Sequence, residues 1–548
     1  MDYKKLADIL FPDVTDTPED IYAKYPKREL PECAAVTRMA PSPTGFVHFG
    51  SMFPTITCER LAKQSGGVFY LRIEDTDAKR EVEGGVEDII ETFRYYGIEF
   101  DEGATVDGDK GAYGPYRQRQ RKDIYHVFAK ELVLAGNAYP CFCTEEELAD
   151  IHTQQEAQKA NFGYYGQWAK WRDRSLEDIE AALAKGMPYV LRFRSQGSVE
   201  RKIKHTDLIK GDLELTENDI DHVLLKSDGI PTYHFAHVVD DRLMGTTHVV
   251  RGDEWLSTLP FHLQLFDTLG WKRPKYLHIS PLMKMDGESK RKLSKRKDPE
   301  AAMSFYRSEG YPVDAVYEYV MTTLNSNFEE WRRANKQASA RDFKFSHKKM
   351  SVSGSLFDQD KLTDVSKNVI SAMDADTVYE QVTAWAKDYD KELYDILTSD
   401  ENRAKSIFAI GRGGNKPRKD LSAWKDVRDY VSIFYPEIFK AENTFPDNVK
   451  EASLVLSDFA KTYNENDDMD TWFSKIKEIC VKYGYAEKTG DYKKEPEKYN
   501  GHIGDISSVI RVAVTGRTNS PDMYAVMQII GREETLKRID DAIEFLNR

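Results

Sequence analysis

Apolar residues recur in two different rhythms along this 548-residue chain, and the alternation between them predicts the architecture. The run "CAAVTRMA", residues 33–40, is short and β-compatible. Pro41, Pro43 and Gly45 then forbid any regular element, and Ser51 stands where an N-cap belongs, with Pro54 in the first turn of "SMFPTITCERLAKQSG". "GVFYLRIEDTD" reads as a second buried strand with Glu74 at its C-terminal end, and "VEGGVEDIIETFRYYGIEF" as a helix closed by Gly97. A mixed segment follows from about 114 to 228. The β and α rhythm resumes in "GIPTYHFAHVVDDRLMGTTHVVRGDEW", where Arg251 ends an apolar strand. Beyond "LMKMDGESKRKLSKRKDPEA", a lysine-rich and arginine-rich run with a glycine turn, helical periodicity prevails to the end. Alternating elements of this kind predict a doubly wound parallel sheet that gathers ligands at the carboxyl ends of its strands.

Composition narrows the class. The length calls for several domains, and 40% hydrophobic residues suffice for globular cores. No apolar run is long enough to span a bilayer, and the first residues lack both the h-region of a signal peptide and the composition of a transit peptide. A soluble, cytoplasmic protein without a membrane partner is expected. The cysteines, Cys33, Cys58, Cys141, Cys143 and Cys480, are too sparse for a disulfide framework and suit a reducing compartment. A net charge of −14 argues against general polyanion binding, so a nucleic-acid or phosphate partner must meet local basic patches.

The stretch "RMAPSPTGFVHFGSM" is a plausible phosphate seat. A helix start preceded by small residues lets backbone N–H groups approach an anion, Gly45 and Gly50 lack the Cβ atoms that would block it, and His48 adds a fixed donor. Alone, such a loop is more often a turn with a packing histidine. "KLSKR" offers Lys292 and Lys295 as point charges and Ser294 as a neutral donor, suited to closing over a triphosphate, although a charge run is usually a solvated face.

Together the two segments are far more specific. "HFGS" is similar to the HIGH signature and "KLSKR" to the KMSKR signature of class I aminoacyl-tRNA synthetases. "RMAPSPTG", "LRIEDTD", "LLKSDGIPTYHFAHVVDDRLMGTTHVVRGDEW" and, near the C-terminus, "RVAVTGRTNSPDMYAVMQIIG" resemble the bacterial-type glutamyl-tRNA synthetases over roughly residues 34 to 548. The resemblance implies an α/β fold: a Rossmann-type parallel sheet with an inserted acceptor-binding domain, then a mainly α-helical anticodon-binding region. The corresponding boundaries are an N-terminal extension (1–31), the two halves of the catalytic domain (32–113 and 229–284), the insertion (114–228), a KLSKR loop and stem-contact domain (285–372) and the helical region (373–548). The extension has no recognised counterpart.

The implied activity is ATP-dependent joining of L-glutamate to tRNA(Glu), with tRNA(Gln) as an alternative acceptor, magnesium as the ATP counterion and a monomeric enzyme. By resemblance, His48 and Lys295 stabilise the pentavalent α-phosphate and the leaving pyrophosphate. Gly50, Glu254, Lys292, Leu293 and Ser294 join them in the ATP site. Glutamate carries two carboxylates and one ammonium, so its site needs two cations and an anion. Arg38, Arg251 and Glu74 match family positions at strand ends. Arg38 is assigned to the side-chain carboxylate, Arg251 to the α-carboxylate and Glu74 to the ammonium, an assignment in which the two arginines are exchangeable. Ser42, Tyr233 and His237 complete the set. Each arginine has an alternative use in an internal salt bridge.

Three departures from the family pattern stand out. Ser51 replaces the last histidine of the signature, His237 stands where most bacterial relatives carry asparagine, and Trp168 occupies the place of a later zinc-ligand cysteine. With His152 as the remaining candidate, Cys141 and Cys143 do not complete a four-ligand zinc site, and two semi-buried thiols are expected. The basic loop "GRGGNKPRKD", residues 411–420, is a candidate phosphate-backbone or anticodon contact. "APSPTG", "IEDTD" and the helical C-terminal half disfavour a glutaminyl enzyme, the presence of that half disfavours a truncated tRNA-modifying relative, and the chain is longer than a small-molecule nucleotidyltransferase needs. A catalytically silent RNA-binding paralogue would be marked by loss of His48 or Lys295, and both are present.

Overall fold

The computed structural model describes residues 1–548 apart from Lys295 and Asn415. It divides into two compact units, one formed by residues 1–305 and 317–358, the other by 306–316 and 359–548.

The first unit opens with helices α1 (Tyr3–Leu10) and α2 (Pro18–Lys24), then β1 (Val36–Met39), α3 (Met52–Ser65), β2 (Val68–Leu71), α4 (Gly85–Tyr95), β3 (Glu102–Thr105) and β4 (Gly108–Lys110). Strands β1, β2 and β3 pair in parallel, and β4 turns back on β3. Helix α5 (Lys122–Leu134) leads into β5 (Ala138–Cys141), α6 (Glu145–Ala157), α7 (Leu176–Ala184), β6 (Val190–Phe193), the hairpin β7 (Lys202–Asp207) and β8 (Gly211–Thr216), and β9 (Val223–Leu225). Here β5, β6 and β9 form a separate antiparallel sheet. The chain then returns through α8 (Tyr233–Leu243) to β10 (His248–Gly252), α9 (Leu259–Thr268) and β11 (Lys275–Ile279), the last two strands parallel. Thr247 donates its N–H to Val36 O at 2.9 Å, which sets β10 beside β1. The four-stranded sheet, in the order β4, β3, β2, β1, thus lies with β1 beside β10 of the two-stranded sheet β10, β11, and the chain order reverses between β1 and β10, the crevice where doubly wound sheets hold their ligands.

Local chemistry explains the element ends. Gly97, at φ +65°, closes α4 by donating to Arg94 O, with Ile98 N reaching Phe93 O. The start of α3 differs from expectation: Ser51 makes no capping bond with its side chain, and a short 3-10 turn, Phe49–Ser51, precedes the helix. His48 caps that turn instead, its Nδ1 accepting from Gly50 N at 2.8 Å. The lysine-rich run folds as a hairpin, β12 (Met283–Asp286) against β13 (Ser289–Lys292), turned at Gly287.

The N-terminal extension is a strap on the first unit. Leu6, Ala7 and Leu10 are buried, and α1 packs on α5. Arg28 reaches both oxygens of Glu102 at 2.8 Å, Tyr22 accepts from Trp271 Nε1 at 2.8 Å, and Tyr25 donates to Gly114 O at 2.8 Å. The second unit carries no strand among the described residues; helices such as Gln359–Ala372, Ala375–Tyr389, Ala452–Thr462, Met469–Lys482 and Ile503–Thr515 surround one apolar core. No helix of the described residues is long and apolar enough to cross a membrane.

Candidate active site

At the carboxyl ends of β1, β2 and β10 the structure gathers an unusual density of buried charge. Arg38, on β1, directs Nε at Asp241 Oδ1 (3.1 Å) and Oδ2 (3.3 Å). Arg72, just past β2, donates from Nη1 to Asp241 at 2.7 Å and from Nη2 to Glu74 at 3.0 Å. Asp241 also accepts from His237 Nδ1 at 2.8 Å. Burial opposes charge on Asp241, but Arg38 and Arg72 outweigh it and hold its carboxyl well below the usual range. Glu74 is pulled the other way, its pKa raised by burial against the opposing pull of Arg72 and Arg38. The neighbouring Asp240 binds Gln118 (2.9 Å), Arg121 (2.7 Å) and Tyr125 (2.8 Å), which fixes α8 in place.

Arg251 is different. It is buried at the end of β10, yet among the described residues no carboxylate pairs with it. Its partners are His278 Nε2 (3.0 Å), His262 Nδ1 (3.1 Å) and Trp255 O (3.4 Å), with Tyr276 under the guanidinium at 5.0 Å. Those imidazoles are held neutral. Burial drives His262 well below its ordinary value, lowers His278, and takes His234 down to about 4. An arginine lodged among neutral acceptors keeps its charge unmatched, which is the state of a site built to receive an anion.

Of the other residues expected for glutamate, Tyr233 and His237 join the same cluster. Tyr233 and His237 stack with ring planes 8° apart, and Tyr233 also meets Trp255 at 4.5 Å. Burial pushes His237 down to about 3, so the ring is neutral, with Nδ1–H given to Asp241. Its Nε2 and the Tyr276 hydroxyl are buried without a hydrogen-bond partner among the described residues, and such groups mark where a polar partner is accommodated. Ser42 is exposed in the loop after β1, whose Pro41 O accepts from Glu74 N at 2.9 Å.

The phosphate-seat residues lie around the start of α3 and the β12–β13 hairpin. Because Nδ1 of His48 accepts from Gly50 N, the proton of the neutral ring lies on Nε2. A Cβ on Gly50 would stand 2.9 Å from His48 Nδ1, so this glycine makes room for the imidazole itself. Residue Ala302, past the lysine-rich loop, bridges to His48. In that loop Leu293 is buried, Ser294 N donates to Asp298 at 2.8 Å, and Arg291 pairs with Asp298 at 2.6 Å. Lys292 is 60% exposed and stands 3.8 Å from Glu254, itself 52% exposed. Lys295 lies outside the described residues.

Elsewhere, Cys141, Cys143 and Trp168 join Tyr139, Ile151 and Tyr164 in one cluster, Cys143 Sγ meeting the Tyr164 hydroxyl at 3.4 Å, while His152 stacks on Phe162. Among the described residues no group of three or more His, Cys, Asp or Glu is arranged to hold a metal ion. In the basic loop of the second unit, Arg412 donates to the carbonyls of Phe408, Ile370 and Met373, and Arg418 pairs with Asp420 at 2.7 Å.

Sequence reasoning missed Arg72, Asp240, Asp241, His262 and His278. The available signal was the charged residues that interrupt apolar runs, in "YLRIED" and "HVVDDRL", because an acid or arginine in a buried element needs a partner.

Comparison with known proteins decides the family. Residues 34–364 match the model for tRNA synthetases class I (E and Q), catalytic domain, and residues 491–543 match an anticodon binding domain. The chain belongs to the class I tRNA synthetases. Within that family it is 51% identical over 546 residues to a glutamate–tRNA ligase of Clostridium perfringens, covering 98% of this chain and all of that one. A glutamate–tRNA ligase of Acetivibrio thermocellus is also 51% identical, over 98% of this chain and 99% of its own. Among solved structures, a glutamate tRNA ligase from Elizabethkingia meningosepticum in complex with its amino acid superposes with a TM-score of 0.75 at 27% identity, covering 93% of this chain and 99% of that one. This class I synthetase thus combines the sheet and switch-point crevice of the catalytic domain with a helical anticodon-binding region.

Proposed function

We propose that this synthetase is a glutamate–tRNA ligase that forms glutamyl-adenylate from L-glutamate and ATP and passes the glutamyl group to the 3′ end of tRNA(Glu). The observation that carries the reading is Arg251, a buried cation without a carboxylate of its own. Of the two exchangeable assignments of the arginines, that unmatched charge favours Arg251 for the side-chain carboxylate of glutamate. Arg38, whose Nε is committed to Asp241, takes the α-carboxylate, and Glu74, with Arg72 behind it, receives the ammonium. Glutamine would set an amide NH₂ against a donor fork and leave the guanidinium unmatched, and discrimination built on such a polar mismatch reaches about 10⁴ or more.

The chemistry requires no protein nucleophile. The α-carboxylate attacks the α-phosphate of ATP in line, and pyrophosphate leaves with magnesium, which arrives as the counterion of ATP. Positioning and charge stabilisation supply the catalysis. His48 donates Nε2–H toward the phosphate, and Lys292 and Lys295 of the lysine-rich loop balance charge on the leaving group. A terminal ribose hydroxyl of the tRNA then attacks the activated carbonyl and releases AMP. The helical second unit reads the anticodon, where unstacked bases are open to hydrogen bonding and stacking.

Charging of labelled glutamate onto purified tRNA(Glu), with tRNA(Gln) in parallel, tests the reading. Glutamate on tRNA(Glu) is the expected product. Product on tRNA(Gln) as well would define a relaxed anticodon site, and no product on either would overturn the assignment.

A further inference from the structure

Beyond that reading, and resting on it, we propose that Asp207 is a positioning residue for Arg251, acting through His278. Asp207 ends β7, in the segment between the two halves of the catalytic sheet, and it is buried. Its Oδ1 accepts the N–H groups of Ile209 (2.9 Å) and Lys210 (2.8 Å), while Oδ2 takes Nδ1 of His278 at 2.7 Å and the His278 backbone N–H at 3.1 Å. Both oxygens are therefore fixed in direction. Burial opposes the charge on Asp207, but these hydrogen bonds outweigh it and hold its pKa below the ordinary carboxylate value.

The hydrogen placement along the chain follows by elimination. A carboxylate only accepts, so His278 Nδ1 carries the proton and Nε2 presents a lone pair. Arg251 Nε–H only donates, and it meets that lone pair at 3.0 Å. On the second side His262 Nδ1 accepts from Arg251 Nη1, which places the His262 proton on Nε2, 2.9 Å from His234 Nδ1. The guanidinium plane is thus set by two neutral acceptors, and on the His278 side the tautomer is dictated from behind, by Asp207.

This arrangement explains why the acid stands one imidazole away. A carboxylate directly on Arg251 would compete with the ligand for the fork. Removed by one ring, Asp207 fixes the direction of the fork and leaves its charge for glutamate. The hairpin that carries it is itself pinned to the sheet, Leu208 N donating to Tyr276 O at 2.9 Å and Lys210 Nζ pairing with Asp253 at 2.9 Å.

The test is steady-state charging of tRNA(Glu), with glutamate and ATP varied in turn. In Asp207→Asn the amide oxygen stays with the two backbone donors at Oδ1, so the NH₂ faces His278 Nδ1. The His278 proton then moves to Nε2, where it opposes the Arg251 N–H. The expected result is a glutamate KM raised at least tenfold with the ATP KM within twofold of wild type. His278→Asn retains a donor to Asp207 but cannot reach Arg251, and should match it; His278→Gln restores an acceptor at the reach of Nε2, and should return the glutamate KM to within about threefold of wild type.

Wild-type values for glutamate in Asp207→Asn and His278→Asn, or equal increases in both KM values, would overturn the proposal. If Asp207→Asn fails to fold by circular dichroism, Asp207→Ser, which keeps a short-range acceptor for the backbone N–H groups but does not reach His278 Nδ1, takes its place: it should raise the glutamate KM and not the ATP KM, and an unchanged glutamate KM would overturn the proposal. A wild-type enzyme that charges no glutamate would instead refute the functional reading, and the same assay separates the two failures.

Discussion

Replacing Arg251 by methionine separates a charge kept for the ligand from a charge kept for the fold. The side chain is buried and its partners in the protein are two neutral imidazoles, a backbone carbonyl and the Tyr276 ring. Methionine fills much of the same volume, leaves two imidazole acceptors unpaired, and relieves the burial of an unmatched cation. The first change costs about 1–2 kcal/mol and the second offsets part of it, so the stability loss should stay below about 2 kcal/mol. Function should suffer far more. Two charge-assisted hydrogen bonds from a guanidinium fork to a carboxylate are worth about 3–5 kcal/mol together, or between roughly 10² and 5 × 10³ in kcat/KM. Charging kinetics for glutamate, paired with thermal unfolding, measure both quantities on one preparation. A change in kcat/KM below tenfold, or a stability loss above about 4 kcal/mol, would refute the argument, because Arg251 would then be a structural residue.

Asp241→Asn should show the opposite balance. It leaves Arg38 and Arg72 without their shared carboxylate, a loss of about 3–5 kcal/mol, read by urea unfolding of the full chain. Acid should erode stability early. His222, His234, His237, His262 and His278 all have pKa values lowered from 6.5, chiefly by burial, so the unfolded state takes up protons first as pH falls below 6.5. Stability is fully present above 6.5, and each histidine removes about 1.4 kcal/mol per pH unit below it until its folded value is reached; a flat profile between pH 6.5 and 5 contradicts this. Gly50→Ala places a methyl 2.9 Å from His48 Nδ1 and should lower kcat by roughly 10²–10³ with little effect on folding, as for loss of one transition-state donor. Arg28→Ala removes the two-pronged contact with Glu102 and should destabilise the first unit by about 1–3 kcal/mol without changing the glutamate KM, measured by denaturation and charging together.

The sequence made the chemistry legible where short-range pattern dictates it. "HFGS" and "KLSKR" singled out two candidate phosphate-binding segments, and Arg38, Glu74 and Arg251 stood out as charges ending apolar strands. What it did not show is which charges are spoken for. Arg38 and Arg72 find Asp241 from about 170–200 residues away in the chain, and no periodicity encodes such a pairing. His262 and His278 read as ordinary buried positions until folding brings them onto Arg251. The capping of α3 was misplaced for a local reason, because His48 caps a 3-10 turn ahead of the helix and Ser51 already has helical backbone angles. Gly50 was read as a position without the Cβ that would block an anion, and a Cβ there would also stand against the His48 ring. The first 31 residues carried no motif, yet Arg28, Tyr22 and Tyr25 strap them to the catalytic unit, a role visible only through their partners.

The central claim is that this site selects its amino acid by charge at Arg251. Its most direct test is the ratio of kcat/KM for glutamate to that for glutamine on tRNA(Glu), measured with the wild-type enzyme at fixed salt. The account predicts a preference for glutamate of about 10⁴ or more, the range expected when a buried donor fork is left unmatched. Charging of glutamine within tenfold of glutamate would contradict it.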